Sequence, residues 1–470
     1  MKSDLLNALE NYAGCGRIPM HMPGHKRNGA LFPELVQLGA ELDITEIDGF
    51  DNLHGACGIL GEAMARASRL WHSDRSYFLV NGSSCGILAG IRALTRRGDT
   101  VLVSRASHKS VYHAMELCGL RPVFLMPETD GESGLPLSIS PAAVEEALQA
   151  HPETALVILC SPTYEGVVSD VASIAQIAHD RHIPLLVDEA HGAHLSLHPA
   201  FPAGAVFCGA DVVVQSLHKT LPSLTQTAIL HVRRDLVDTA LLEHQLYVCE
   251  KSSPSYLLLA SMDACVSRLA GDGAVMDGWA QRIADFDNCI KSMTHLRIPG
   301  HNAPLPDGVF AYDPSKIWVF VSGTSMSGGA LGAFLREAGI EPEMIGRDGV
   351  LLMTGAGDRA EDLRRVADAL RQADARCTGG AVSPPSPMRR PRSVLDAETA
   401  LSCPWEMLPL GEAVGRLSAE YVWAYPPGIP LLVPGERVEA DVVLQLSKTE
   451  VELHSTRGNM PDAMAVVKET

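Results

Sequence analysis

Short apolar runs alternate with stretches of helical periodicity along most of this 470-residue chain. Residues 77–81 predict a strand, and 84–95 a helix with Ile87, Ile91 and Leu94 on one face. Strands follow at 100–104 and 122–126, with a helix at 109–118 between them. Ser140-Pro141 opens another helix, serine as the cap and proline at the first position. A strand at 155–160, a helix at 171–181 and strands at 184–188, 211–216 and 227–232 complete the series. Apolar strands alternating with helices predict a mostly parallel sheet flanked by helices.

A second α/β pattern comes later. Residues 317–321 and 350–353 read as strands, 328–338 and 360–376 as helices. The fold class expected is therefore α/β with a smaller C-terminal α/β domain. The expected division is an N-terminal arm at 1–60 and a large domain at 61–265. The smaller domain would begin at 266–377, followed by a linker at 378–393 and a C-terminal segment at 394–470. The linker holds Ser383-Pro384-Pro385-Ser386-Pro387, a composition that favours extended, exposed chain.

In a parallel sheet, ligands bind beyond the carboxyl ends of the strands, and the polar residues of interest fall there. The run Leu185-Leu186-Val187 ends in Asp188, and Val212-Val213-Val214 leads through Gln215-Ser216-Leu217-His218 to Lys219, thirty-one residues after Asp188. A buried carboxylate needs a cationic partner; a lysine at a strand end can be captured by an aldehyde. An acid and a lysine so placed make the electrostatic frame of a pyridoxal phosphate (PLP) site. The lysine carries the cofactor as a Schiff base and the acid keeps the pyridine nitrogen protonated. For each residue the bland alternative is a structural acid or a solvated lysine. After the first strand, Asn81-Gly82-Ser83-Ser84 runs straight into a helix, where free N–H groups and hydroxyls form a phosphate cup. An ordinary capped helix entry would look the same; beside Asp188 and Lys219 the phosphate reading is the better one. Ser216 and His218 flank the lysine and could donate to that phosphate. His108, at the end of the second strand, either stacks on a cofactor ring or is a surface histidine.

Charge narrows the partners. With 38 basic and 56 acidic side chains the net charge is −18, which argues against nucleic-acid or anionic-membrane binding. That also disposes of one decoy. Asp188-Glu189-Ala190-His191 matches the string of a helicase class, but the Gly-rich loop ending in Gly-Lys-Ser or Gly-Lys-Thr is missing. Eleven cysteines with no C-x-x-C pair read as reduced thiols of a cytoplasmic protein. Neither a signal peptide nor a membrane span is expected from the apolar runs. The pairs His21/His25 and His191/His194 lack further ligands, so no metal is expected.

These residues resemble the aspartate-aminotransferase-like (fold type I) PLP enzymes and, more narrowly, the short form of the ornithine/lysine/arginine decarboxylase family. The strings carrying the match begin with His21-Met22-Pro23-Gly24-His25-Lys26, Asp43-Ile44-Thr45-Glu46 and Asp51-Asn52-Leu53-His54. They continue with His108-Lys109-Ser110, Ser161-Pro162-Thr163-Tyr164-Glu165-Gly166 and Asp188-Glu189-Ala190-His191-Gly192. Ser252-Ser253-Pro254-Ser255-Tyr256 and Tyr425-Pro426-Pro427-Gly428-Ile429-Pro430 complete the set. The resemblance implies a Schiff base at Lys219, a pyridine partner in Asp188 and a stacked His108. It implies phosphate contacts from Ser83, Ser84, Ser216 and His218, with Thr163 and His191 along the ring. It also implies a homodimer or higher oligomer with shared sites, Ser252 and Ser253 reaching the partner's phosphate. Glu420 would receive the distal cation of the substrate; its bland alternative is a structural acid. Two places depart from the family pattern, Leu401-Ser402-Cys403-Pro404-Trp405-Glu406 and the Glu250-Lys251 pair before the double serine.

The reaction so implied is decarboxylation of arginine, lysine or ornithine to agmatine or a diamine. Rival readings are another fold type I reaction, namely transamination, aldol cleavage or oxidative deamination, or a catalytically silent PLP-binding homologue. Fold alone does not separate these.

Overall fold

The computed structural model describes residues 3–233, 235–380, 392–424, 428–448, 452–458 and 460–469. The string Ser383 to Pro387 and the triplet Tyr425-Pro426-Pro427 lie outside the described residues. Strands β1 (Arg75–Leu79), β2 (Thr100–Ser104), β3 (Arg121–Leu125), β4 (Thr154–Cys160), β5 (Leu185–Asp188), β6 (Val212–Gln215) and β7 (Ala228–Val232) form the main series. Helices α1 (Gly82–Leu94), α2 (Lys109–Cys118), α3 (Pro141–Ala150) and α4 (Val171–His179) follow β1 to β4, and the short α5 (Leu217–Thr220) follows β6. The chain divides into two compact units.

The first unit comprises Met1–Leu94, Pro184–Gln281 and Gly355–Gly357. Here β1, β7, β6 and β5 lie side by side in that order. β5 and β6 are parallel, whereas β7 runs antiparallel to both β6 and β1. The connection from β6 to β7 is a single helical turn and a loop, after which the chain returns in the opposite sense. The strands are buried along nearly their whole length, which is why their sequences read as continuous apolar runs. Helix α1 lies close on the sheet because Gly86 and Gly90 face it. A methyl at Gly86 would come within 2.7 Å of Leu79 Cδ1 and 3.0 Å of Val214 Cγ1. One at Gly90 would come within 2.9 Å of Leu186 Cδ1.

The second unit comprises Thr95–Ile183, Arg282–Thr354 and Asp358–Thr470. Its strands β4, β2 and β3 are parallel throughout. Ser140 caps α3 as its sequence predicts, accepting from the Ala143 N–H. Further on, Lys316–Phe320, Gly349–Met353 and Met344–Ile345 form an antiparallel sheet. Helices Gly328–Glu337 and Ala360–Asp374 bury Leu331, Leu335, Ala367 and Leu370 in one core with its Ile317, Val319 and Val350. Near the C-terminus, Trp405–Pro409 pairs antiparallel with Ala463–Val467, and Val422–Ala424 lies between Pro430–Leu432 and Leu453–Ser455. Among the described residues no helix is long and apolar enough to cross a membrane.

Candidate active site

The acid and the lysine are carried by neighbouring parallel strands of the first unit. Asp188 closes β5 opposite Val214 of β6, and Lys219 sits in α5, which leaves the end of β6. Asp188 is 4% exposed. Burial raises its carboxyl above the usual range, opposed by the charge of Lys219 and by the Ala190 N–H, which donates to Oδ1 at 3.2 Å. A buried acid in this state gains most from a nearby cation. The Nζ of Lys219 lies 2.9 Å from His191 Nε2, so His191 meets the lysine directly.

Residues around this pair converge on one sheet edge. His218 Nδ1 lies 2.8 Å from the Thr227 carbonyl, to which it donates, and burial lowers the pKa of the ring. Thr227 immediately precedes β7, whose first residue Ala228 pairs with Leu79 at the end of β1. The turn from Val80 into α1, with half-buried Ser83 and Ser84 in its first turn, therefore shares that edge. Gly82 has φ +75°, a left-handed conformation that glycine adopts without strain. Ser216 is fully buried, and its Oγ has no hydrogen-bond partner. An orphaned hydroxyl beside the lysine fits the oxygen of an anionic group.

Ser252 and Ser253 are exposed, whereas Pro254 is buried and Tyr256 donates to the carbonyls of Phe50 at 3.1 Å and Asp51 at 2.8 Å. The unusual Glu250 has a structural task. Its Oε2 accepts from the Val80 N–H at 3.1 Å and its Oε1 from the Lys251 N–H at 3.1 Å, pinning the turn after β1. Lys251 itself is exposed.

The second unit holds the remaining expected residues. His108 caps α2, its Nδ1 accepting from the Ser110 N–H at 3.3 Å and lying 2.9 Å from the Ser110 hydroxyl. Thr163 Oγ1 accepts from the Val167 N–H at 3.2 Å. Glu420 differs from its expected role. It is fully buried, with Oε1 accepting from the Ala465 N–H at 2.6 Å and Oε2 from the Arg457 N–H at 3.3 Å. Main-chain donors engage both oxygens, the arrangement of an acid that holds the C-terminal strands together rather than one open to a substrate cation.

Sequence reasoning missed a buried polar contact next to the acid and the lysine. Glu189, directly after Asp188, bonds to Gln215, the last residue of β6, at 2.7 Å. The only local signal was two polar residues ending apolar strands. Among the described residues no three His, Cys, Asp or Glu side chains gather as metal ligands; His25 instead meets Asp43 at 3.3 Å and His21 the Tyr12 hydroxyl at 2.8 Å.

Known proteins match this chain along most of its length. Residues 3–298 match the family model "Orn/Lys/Arg decarboxylase, major domain", and 384–451 match "Orn/Lys/Arg decarboxylase, C-terminal domain". The chain is 35% identical to the uncharacterized protein YaaO of Bacillus subtilis, covering 98% of this chain and 97% of that protein. It is 32% identical to a Bacillus subtilis arginine decarboxylase, covering 95% and 93% respectively. The lysine decarboxylase LdcF of Francisella novicida superposes with a TM-score of 0.83 at 18% identity, covering 99% of this chain and 81% of that structure, a likeness of fold.

Proposed function

The chain belongs to the Orn/Lys/Arg decarboxylase family and is an amino-acid decarboxylase acting on a basic amino acid; we propose that it works with pyridoxal phosphate held by Lys219 and Asp188. The observation that carries the cofactor reading is the buried Asp188 at the end of β5, with Lys219 leaving the adjoining strand. The partnerless Ser216 hydroxyl and the serine-bearing start of α1 fit the phosphate.

When bound, pyridoxal phosphate supplies an electron sink for the pair left behind as carbon dioxide departs. The chain's own residues do the rest. Asp188 holds a proton on the pyridine nitrogen by its negative charge. Lys219 would hold the cofactor through its Nζ amine. His191 accepts a hydrogen bond from Lys219 Nζ and so aims it. Ser83, Ser84, Ser216 and His218 would hold the phosphate. His108 and Thr163 enter this reading from the family resemblance alone. The name of the Bacillus subtilis relative supports arginine as a substrate, with lysine and ornithine beside it.

Exposed Ser252 and Ser253 support a site shared between two copies of the chain. Mixing inactive Lys219→Ala chains with inactive Ser252→Ala/Ser253→Ala chains should restore activity, because one site of the hybrid keeps both the lysine and the partner loop. Hybrids verified by mass that stay inactive contradict sharing.

The cofactor reading is tested by borohydride reduction of the PLP-loaded protein and mapping of the modified peptide by mass. Modification at Lys219 is expected; modification at another lysine, or none, overturns it.

A further inference from the structure

Four polar side chains form a continuous buried chain through the first unit. The Ala205 N–H donates to Glu189 Oε1 at 2.7 Å, and Gln215 Nε2 donates to Glu189 Oε2 at 2.7 Å. Gln215 Oε1 lies 3.1 Å from His231 Nε2, and His231 Nδ1 lies 2.8 Å from the Ser76 hydroxyl. Glu189, Gln215, His231 and Ser76 are each 1% exposed. His231 lies between Leu230 and Val232 and Gln215 follows Val214, and the chain crosses the sheet through β6, β7 and β1. Apolar residues of similar volume would stabilise the fold as well or better. A fully satisfied polar chain instead permits one arrangement of the strands it joins.

Its position gives that restriction a use. Glu189 is bonded to Asp188 in sequence, and Gln215 is the last residue of β6 before the turn bearing Lys219. The Glu189 N–H also donates to the Val214 carbonyl at 2.9 Å. The two bonds tie the strands together where each leaves the sheet.

We propose that Glu189 and Gln215 are positioning residues that set the separation and orientation of Asp188 and Lys219 through the bond between them. The inference rests on the cofactor reading above. Burial pushes the Glu189 carboxyl up to about 8 and the His231 ring down to about 3, so near neutrality the chain is mostly uncharged. Glu189→Gln then preserves every bond. The Gln215 amide and the His231 ring each have a donor and an acceptor and can turn round together. Glu189→Leu and Gln215→Met break the link from opposite sides.

The test measures PLP affinity of the apo protein by equilibrium dialysis, with kcat and KM on the loaded protein. Glu189→Leu and Gln215→Met should lower PLP affinity and kcat by about tenfold each with KM changed less than about twofold, the mark of misplaced groups. Glu189→Gln should stay within about threefold of the parent on the same scale. If either broken variant fails to fold, the exchange Glu189→Gln with Gln215→Glu, which rebuilds the bond in reverse, must restore both quantities. Folded Glu189→Leu or Gln215→Met with parental PLP affinity and kcat overturns the proposal, as does an exchange variant that folds without recovery. Borohydride mapping of the parent to a lysine other than Lys219 would instead sink the cofactor reading, so the two failures are distinguishable.

Discussion

Lys219 Nζ and His191 Nε2 are 2.9 Å apart, a hydrogen bond between the turn after β6 and the loop after β5. Two nitrogens at that distance need one donor and one acceptor. The ammonium donates, and His191 accepts through an unprotonated Nε2. The lysine is therefore held beside Asp188 before any cofactor arrives. His191→Phe keeps a flat ring and removes the acceptor. PLP affinity should fall by about ten- to a hundredfold, the worth of one hydrogen bond to a charged group. Equilibrium dialysis of the variant reads this, and an unchanged affinity would make the contact incidental.

Asp188→Asn replaces a charge with a dipole of the same shape. The buried carboxyl has its pKa raised by burial and relieved by Lys219. The amide can still hydrogen-bond a neutral ring nitrogen, so some PLP should remain. Turnover should drop by about a hundredfold or more, because the charge matters most as the electron pair develops. Steady-state kinetics at saturating PLP decide it; a loss under about threefold contradicts the role.

Ser216→Ala removes a hydroxyl that is buried and unpartnered. The apo protein should be as stable as the parent or slightly more so, since no bond is lost and a desolvated group disappears. PLP affinity should fall by about three- to tenfold. Urea denaturation of the apo protein paired with dialysis against PLP separates the effects. Destabilised apo protein with unchanged affinity would assign Ser216 to the fold alone.

Glu189 gives the apo protein a pH dependence of known sign. Its folded pKa, about 8, lies above the ordinary value of 4.5 because burial disfavours the charge, although the Gln215 amide and the Ala205 N–H oppose the shift. The folded state thus holds this proton more tightly than the unfolded chain. Its contribution is fully present below about pH 4.5, declines as pH rises and is lost above about pH 8. Glu189→Gln cannot ionise. Its stability relative to the parent should rise between pH 5 and 8 by on the order of a few kcal/mol. Asp188, raised by burial in the same direction, is present in both proteins, and its charge adds to the rise at Glu189. Urea denaturation at both pH values checks it, and a pH-independent difference contradicts it.

Much of the site was legible because its residues interrupt apolar runs. Asp188 and Lys219 stand where β-branched strands stop, and Gly82-Ser83-Ser84 stands where a strand becomes a helix; the structure sets all of these in one unit. Strand ends were read to within two residues, β1 starting at Arg75 because that exposed residue still pairs with Val232. The antiparallel sense of β7 was not legible, since hydrophobic pattern carries no direction. The strands Val422–Ala424 and Leu453–Ser455 are too short to show a period. The Glu189–Gln215 bond spans 26 residues and the Glu250–Val80 bond 170, and no local pattern announces either partner. Glu420 illustrates the converse. An acid beside an aromatic, proline-rich string looked available, but the pairing of the C-terminal strands turns it onto the Ala465 and Arg457 N–H groups.

The central claim is tested most directly by incubating the purified, PLP-loaded protein with arginine, lysine and ornithine, each labelled at the carboxyl carbon. At least one should yield labelled carbon dioxide and its matching amine in equal amounts, and Lys219→Ala should yield neither. Undiminished release by Lys219→Ala, or a keto acid in place of carbon dioxide and amine with all three substrates, would contradict the account.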